Sequence, residues 1–494
     1  MKKMKRSIFV FMFLVISGNL FAQQDMTLYY MHRVPQSNLL NPAIQNECKL
    51  YFSGLLLPIV GQVLPPLHMN YNNNGFAFNK LFYQGEGAMA DSMVTPFNIG
   101  QNPDHFLKQL RKVNYISLEQ NIDWFSAGYR WKSWYFTFNL TEKFNVQASF
   151  PKDLIVLAWE GNGKSLLGKN AFLSYLGAGL NWYREYALGA SKTINSKLTL
   201  GGRAKILFGK ENIWFKSHQL SWKTDQDDYS YTFDANWEVY SSQQFFDITK
   251  LEMDYVNDSM MFEMDTVLNP DEMTSKDIKK IIFDTKNPGG AIDLGFKYVF
   301  NNKITFYGSA LDIGFIHYKH NVNAAKSKGE FYFDGWNVQP YINEADSVGD
   351  EYTDYFKDSV IKIFEPHLIK KAYNYWLTPK IYLGGTYKLT EKINIGLLLK
   401  GDVFLKRLHG GITLSANANL KKWFAPSLSY TVENNCFKQV GAGVLFKIPW
   451  MQFYLVTDNV CGFIWPEAAR NINFRLGINL LFGCDKKESS TLIQ

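Results

Sequence analysis

The chain has 494 residues, of which 16% are aromatic, and a formal net charge of +7. Four of the basic residues lie within the first six positions, and no dense basic cluster follows, which excludes a nucleic-acid-binding protein. The four cysteines are too few for a disulfide-built scaffold, and no CxxC or Cys/His spacing indicates a zinc site.

Residues 1–22 are typical of a secretion signal. A basic start precedes an apolar stretch over 8–16, and Ala22 offers a small residue before the expected cleavage site. The apolar stretch is far shorter than the ~20 residues of a membrane-spanning helix, so we expect cleavage rather than anchoring. Later in the chain, prolines interrupt the most apolar segment, 55–67, and the sequence therefore excludes helical membrane spans.

Most of the remaining chain alternates apolar and polar residues with a period of two, which predicts strands with one apolar face. The stretch 471–483 is the clearest, and it is longer than the ~5–6 residues of an average strand. A strand that crosses lipid obliquely needs ~9–11 residues. The pattern leaves open whether 134–150 is one strand or a hairpin that turns at 141–143. We predict strands over 134–140, 144–150, 198–208, 291–299, 304–315, 379–389, 393–403, 412–420, 425–432, 438–446, 452–459 and 471–483.

The connections are sorted by length. Short turns are predicted at 141–143, 195–197, 301–303, 390–392, 421–423 and 447–450, and long insertions near 81–114, 216–288 and 319–375. Counted from the end of the chain, the short turns fall on one side and the insertions on the other. Outer-membrane barrels have short periplasmic turns and long external loops, whereas a soluble β-sandwich has no reason to sort its loops by length.

We therefore predict an all-β fold, a closed antiparallel transmembrane β-barrel over residues 47–483. Residues 23–46 lie in the periplasm or plug the lumen, and 484–494 form a periplasmic tail. Two loop segments have helical signals: Pro103 precedes 105–113, and Thr274 or Ser275 could cap 276–284. We expect short surface helices there, with lids or plugs over the pore as the alternative.

If the apolar residues face lipid, the alternate residues face the lumen. This places eight charged side chains inside the barrel or at its rim: Arg203, Lys205, Asp293, Lys297, Lys388, Lys400, Asp402 and Arg475. Buried charges must be paired or hydrated, because an isolated charge in a low dielectric is costly. Two interpretations follow, a polar passage that prefers anions and an internal salt-bridge network that fills a narrow barrel.

The sequence offers no catalytic centre. Among the eight histidines only His317 and His320 are close, and at a strand end this spacing puts them on opposite faces. No GxSxG, HExxH or phosphate-binding loop is present. We predict that the protein is not an enzyme and uses neither a cofactor nor a catalytic or binding metal.

Two cysteines flank the predicted barrel. Cys48 opens the first strand and Cys484 follows the last, so in a closed barrel with an even number of strands both reach the same periplasmic rim. A disulfide could join them if their Cα atoms come within ~7 Å. Two separate thiols are the alternative.

Several phrases of the sequence resemble a Bacteroidota family of outer-membrane β-barrels, a domain of unknown function. They are PQSNLLNPA at 35–43, GGAIDLG at 289–295, LDIGF at 311–315, QFYLVTDN at 452–459 and ARNINFRLG at 469–477. The family fold is similar to FadL-type fatty-acid transporters and to a shuttle barrel of the type IX secretion system. This resemblance implies about 14 strands, within the 12 to 16 that the pattern allows.

A second resemblance concerns modification, because Bacteroidota O-glycosylate Asp-Ser/Thr followed by a small or apolar residue. That motif occurs in the long insertions and implies five acceptors: Ser92, Ser259, Thr266, Ser347 and Ser359.

Two functions remain open from the sequence. The first is a FadL-like transport or channel protein that moves a small or hydrophobic molecule. The second is a non-enzymatic surface scaffold, associated with type IX secretion, whose external loops bind a partner. Both predict a multi-pass β-barrel in the outer membrane, in contact with lipid and inserted by the outer-membrane assembly machinery.

Overall fold

Fourteen wall strands close into an antiparallel barrel in the computed structural model, counted over the residues that the structure describes. Those residues are 25–54, 65–85, 90, 92–98, 103–243, 246–256, 259–266, 283–335, 367–404, 407–433 and 436–484. All the strands, in chain order, are Leu50–Gly54 (β1), Leu67–Asn73 (β2), Tyr83–Gln84 (β3), Met93–Val94 (β4), Val113–Trp131 (β5), Trp134–Pro151 (β6), Asn170–Phe172 (β7), Gly177–Thr193 (β8), Leu198–Thr224 (β9), Tyr231–Ser242 (β10), Phe246–Val256 (β11), Ser259–Thr266 (β12), Asn287–Val299 (β13), Ile304–Tyr318 (β14), Val322–Phe333 (β15), His367–Ile369 (β16), Tyr373–Trp376 (β17), Lys380–Lys388 (β18), Ile393–Phe404 (β19), Arg407–Ala418 (β20), Phe424–Glu433 (β21), Cys436–Lys447 (β22), Met451–Thr457 (β23) and Asn471–Phe482 (β24).

The wall is formed by β1 with β2, β5, β6, β8, β9, β13, β14, β17 with β18, and β19 to β24. The first of these wall strands is interrupted: β1 and β2 both pair with β5 on one side and with β24 on the other. The first part, β1, ends at Gly54, whose φ of +109° favours glycine and where a Cβ would lie 2.3 Å from the carbonyl oxygen of Trp124. The pairing of β24 with β1 and β2 closes the barrel.

Alternate wall residues put large apolar side chains on the outer surface. Leu397 and Leu399 are 51% and 46% exposed, whereas Leu398 between them is fully buried on the inner side. Leu414 on the next strand is 54% exposed, and its neighbour Thr413 is buried. An apolar outer band on a closed barrel suits contact with hydrocarbon. The predicted closed antiparallel β-barrel is confirmed.

Short turns join wall strands at one end of the barrel, here called the turn end. The long connections lie at the other, the loop end, where β19 and β20, and β21 and β22, are also separated by only two residues. The turns that follow β5, β8, β13, β18, β20 and β22 have two to five residues. Five of the six predicted short turns are confirmed at the turn end. Short helices over Phe78–Leu81, Asp104–Gln109, Lys152–Glu160 and Val460–Ile464 lie in longer connections.

The predicted turn at 141–143 is wrong, because β6 runs without interruption and pairs with β5 and β8 along its length. The turn lies instead at residues 132–133, where Lys132 has a φ of +55°. Partners on neighbouring strands hold the polar residues in β6: Thr141 Oγ1 donates to Asp123 Oδ1 at 2.8 Å, and Lys143 Nζ lies 2.8 Å from Glu185 Oε2. Such cross-strand contacts outweigh a local preference for a turn.

The long strand β9 continues beyond the wall at the loop end. It pairs with β13 up to Gly209 and with β10 from Asn212 onward, and β10 continues through β15 to β16. The predicted strand 198–208 is therefore only the wall part of a strand of 27 residues. We call β10, β15, β16 and the outer part of β9 the external sheet.

The helix predicted after Pro103 is present but ends at Gln109, because β5 begins at Val113. The helix predicted over 276–284 lies almost entirely outside the described residues. Within the described part of the chain, every helix is too short or too polar to cross a membrane.

Candidate functional site in the barrel lumen

The N-terminal segment, residues 25–49, packs inside the barrel and reaches its turn end. Two 3-10 helices, Leu28–Tyr30 and Pro35–Leu39, make it compact. The side chain of Leu28 is fully buried in a cluster with wall residues, and the Tyr29 ring stacks on that of Tyr382 with centroids 5.4 Å apart. Arg33 donates a hydrogen bond to the carbonyl oxygen of Lys421, in the turn after β20. The described part of the segment thus fills the lumen toward the turn end.

Polar contacts tie this segment to the last strands of the wall. Thr27 donates from its backbone N–H and its hydroxyl to Asp458 Oδ1, at 2.7 and 2.5 Å. The side-chain amides of Gln36 and Asn479 exchange two hydrogen bonds of 2.7 and 3.0 Å. Each of these four side chains is buried. Buried hydrogen bonds to a carboxylate contribute more than neutral ones, so Asp458 is the strongest of these ties.

A disulfide joins Cys48 to Cys484 at the turn end, with their Cα atoms 4.1 Å apart. Cys48 lies near the end of the N-terminal segment, two residues before β1, and Cys484 follows β24. Of the two states that the sequence left open, the structure has the bridged one. The bond links the two strands that close the barrel and anchors the base of the N-terminal segment beside them.

Six of the eight predicted lumen charges form ion pairs inside the barrel: Arg203, Lys205, Asp293, Lys400, Asp402 and Arg475. Arg203 Nη2 and Lys205 Nζ each lie 2.8 Å from a carboxylate oxygen of Asp293. The Lys400 ammonium lies 3.4 Å from Glu433. The arrangement corresponds to the interpretation as an internal salt-bridge network. The other two, Lys297 and Lys388, line a separate cavity at the turn end.

Asp312 is the centre of this network, and the sequence analysis did not single it out. Its carboxylate lies 2.6 Å from Lys205 Nζ, 3.6 Å from Lys143 Nζ and 3.9 Å from Lys380 Nζ. Its φ of +58° is unusual for a residue with a side chain, and its backbone N–H donates to Asp293 Oδ1 at 2.8 Å. A register shift between β13 and β14 occurs at this point. Because the shift changes the alternation of faces, residue spacing could not assign Asp312 to the lumen.

An outer cavity of about 660 Å³ lies at the loop end. The segment before β8, the outer part of β9 and residues 374–378 surround it, and its aromatic residues are Phe172, Tyr175, Trp214, Phe215, Tyr375 and Trp376. Its volume falls within the ~300–1,000 Å³ of small-molecule pockets, which are mostly apolar with a few polar groups. Lys216 and His218 supply polar groups at one side.

Three cavities follow one another from the loop end to the N-terminal segment. The outer cavity shares Gln147, Tyr375 and Leu377 with a second cavity of about 100 Å³, and Gln147 Nε2 lies 3.4 Å from the Tyr375 hydroxyl. The second cavity shares Glu119 and Lys380 with a third of about 60 Å³, whose lining includes Asp25 and Leu39 of the N-terminal segment. The lumen therefore narrows from an aromatic cavity to small charged spaces.

Glu238 of the external sheet holds the polar side of the outer cavity in place. It accepts hydrogen bonds from His218 at 2.9 Å and Lys326 at 3.0 Å, and it lies 3.4 Å from Lys216. Partial burial opposes ionisation of Glu238, but hydrogen bonds from Lys326, His218 and Tyr240 outweigh it and lower its pKa to about 2. The carboxylate is therefore charged at neutral pH.

Three of the five predicted modification sites fall within the described residues, and none of these three lies in a wall strand. Ser92 is exposed in the β3–β4 hairpin, and Ser259 and Thr266 are the first and last residues of β12. Ser347 and Ser359 lie outside the described residues. His317 and His320 have separate partners, Asn374 and Lys286, and the described residues contain no group of ligands suited to a metal ion.

Several solved structures and one family model are similar to this chain. Three solved structures are similar at 8% sequence identity: the toluene transporter TbuX of Ralstonia pickettii (TM-score 0.40, covering 91% of this chain and 94% of that one), a FadL homologue of Pseudomonas aeruginosa (TM-score 0.37, 91% and 94%) and the CymD monoaromatic hydrocarbon channel (TM-score 0.37, 90% and 92%). No curated protein matches the sequence. A family model matches residues 42–458, and the chain therefore belongs to the Family of unknown function (DUF5723).

Proposed function

We propose that the protein is a gated transport barrel of the outer membrane, with its turn end in the periplasm, and that it takes up a small, largely apolar molecule. The outer cavity carries this proposal: a space of about 660 Å³ with aromatic walls lies directly above the narrow part of the lumen. Aromatic side chains offer apolar area and ring faces to such a ligand. The apolar outer surface of the wall supports the membrane location.

The path below the cavity is closed in this conformation. Gln147 and Tyr375 separate the outer cavity from the charged spaces, and the N-terminal segment fills the lumen beneath them. Passage through the barrel therefore requires that this segment move, or that the ligand leave sideways. A closed lumen with a formed outer cavity is the arrangement expected of a transporter that binds its ligand before it opens.

Photolabelling tests this function. The protein in lipid nanodiscs is irradiated with benzophenone, an apolar aromatic probe, and the labelled peptides are mapped by mass spectrometry. We expect label in 172–177 and 214–218, which border the cavity. Leu176→Trp fills the cavity and abolishes this label, whereas Phe306→Trp on the exposed outer wall is the matched control and leaves it unchanged. Label confined to outer-wall peptides contradicts the proposal.

A second function, a scaffold for a partner, is supported by the external sheet. Along β10, twelve residues pair with β9 on one side and with β15 on the other, which makes a rigid surface beyond the wall. Affinity purification from native membranes tests this function. A stoichiometric protein, lost when residues 225–242 are replaced by a short Gly/Ser linker, supports the scaffold, and a co-purified small molecule supports transport.

A further inference from the structure

A cavity of about 180 Å³ lies at the turn end, between the N-terminal segment and the wall. Tyr30 and His32 of the segment form one side, and residues of β13, β14, β18, β19 and β20, together with the turn after β13, form the other. A water molecule occupies ~30 Å³ of liquid, so the space holds several waters or a small organic molecule. We call this cavity the basic pocket. The site of the proposed function lies at the opposite end of the barrel.

The lining of the basic pocket is cationic. Lys297, Lys303 and Lys388 contribute to it, and none of its twelve lining residues is acidic. Lys388 pairs at 2.7 Å with Glu391, but that carboxylate is 88% exposed and belongs to the adjacent turn. Within the described part of the chain, no carboxylate lies within 4.0 Å of the ammonium groups of Lys297 and Lys303. Lys143, Lys205, Lys380 and Lys400, by contrast, are all paired in the lumen network.

Neutral hydrogen-bonding groups and rings complete the pocket. Asn302, Asn394 and Thr305 contribute amide and hydroxyl groups. His32 Nε2 is buried and has no hydrogen-bond partner among the described residues. The His32 ring lies 5.1 Å from that of Tyr307, which forms part of the wall of the pocket. A buried ring nitrogen that lacks a partner is normally satisfied by water or a ligand.

We infer that the basic pocket binds the oxyanion group, a carboxylate or a phosphate, of a small molecule that enters from the turn end. Lysine ammonium groups bind phosphate and carboxylate as point charges. Unpaired lysines in a confined space attract such an anion more strongly than lysines in open solvent do. The tyrosine and histidine rings favour an anion with an aromatic or other flat apolar body.

Binding of 4-fluorobenzoate, followed by the broadening of its 19F NMR signal, tests this site on the purified full-length barrel. We expect saturable broadening that inorganic phosphate reverses, because both anions compete for the same lysines. Benzyl alcohol, which has the ring but no charge, reverses it much less. Absence of saturable broadening overturns the inference, as does equal competition by benzyl alcohol and phosphate.

Substitutions locate the site. Lys297→Gln removes a charged donor and weakens binding about 10-fold or more, whereas Lys297→Arg keeps the charge and stays within about threefold of the unaltered protein. Lys392→Gln is the matched control, because Lys392 is exposed in a neighbouring turn and does not line the pocket. The heat-dependent shift of the folded barrel on a gel verifies folding of each variant. Equal weakening by Lys297→Gln and Lys392→Gln overturns the inference.

Discussion

The two halves of the lumen are closed by different means. Toward the loop end, side chains of the wall itself narrow the lumen. Tyr375 contacts Gln147, and nearer the turn end Asp312 pairs with three lysines. At the turn end a separate piece of chain, the N-terminal segment, fills the lumen and is tied to Asp458 and Asn479. The ion pairs around Asp312 join wall strands to one another and are therefore part of the wall. The N-terminal segment is a separate piece of chain, held by buried apolar contacts and by polar ones such as the 2.8 Å ion pair of Asp25 with Arg475, so it can be removed without cutting the wall.

Removal of residues 26–44 should have the largest effect, because it opens the turn end and leaves the loop end unchanged. The turn end then loses its filling, while Cys48 and the wall network remain. We expect the ionic current through a planar bilayer to change from rare, brief openings to a stable open level. The heat-dependent gel shift shows that the shortened protein is folded. A folded variant with an unchanged current would show that the wall network alone closes the barrel.

Asp312→Ala tests the wall network. Removing this carboxylate leaves buried lysines with fewer partners, and breaking a buried pair in this way costs ~3–5 kcal/mol of the free energy of unfolding. Urea unfolding in lipid vesicles measures the loss. Asp402→Ala, which removes a more distant partner of Lys400 at 3.7 Å, is the comparison and should cost clearly less. Equal losses would contradict the central role of Asp312.

The disulfide should contribute next. The double variant Cys48→Ser, Cys484→Ser removes the link between the two strands that close the barrel and releases the base of the N-terminal segment. We expect the free energy of unfolding to fall by ~2–4 kcal/mol in the same measurement. Cys461, which is free and exposed, provides the control, because Cys461→Ser should change nothing. A similar loss in the control variant would show that the effect does not come from the bridge.

Glu238 should give the smallest effect. Its pKa is lowered to about 2, so its contribution to stability is fully present above the ordinary glutamate value and is lost as the pH falls through about 2. Because its partners Lys326 and His218 are partly exposed to solvent, which screens the pairs, the contribution is at most ~1 kcal/mol. Near-ultraviolet circular dichroism follows the thermal unfolding of the external sheet. In the unaltered protein its unfolding temperature should fall at low pH. Glu238→Gln should remove this dependence, and a dependence that persists would assign it to other groups.

Residue spacing predicted most of the wall strands. The stretches 291–299, 393–403 and 425–432 each match a strand of the structure to within a few residues, because lipid on one side and a polar lumen on the other impose an alternation that a single strand displays. The same alternation identified Arg203, Lys205 and Asp293 as inward-facing. It failed at Asp312, where a register shift changes the faces, and at Thr141 to Lys143, whose partners lie on neighbouring strands.

The sequence by itself determined the class of the protein: a strand-built wall with sorted loops and two cysteines at its ends, because these features depend on the period of the residues and their order. Only the tertiary structure decided what fills the lumen. The N-terminal segment meets Asp458 more than 400 residues later in the chain. Gln147 and Tyr375, which close the aromatic cavity from below, are 228 residues apart in sequence. Contacts of that range follow from closure of the barrel, which no local pattern encodes.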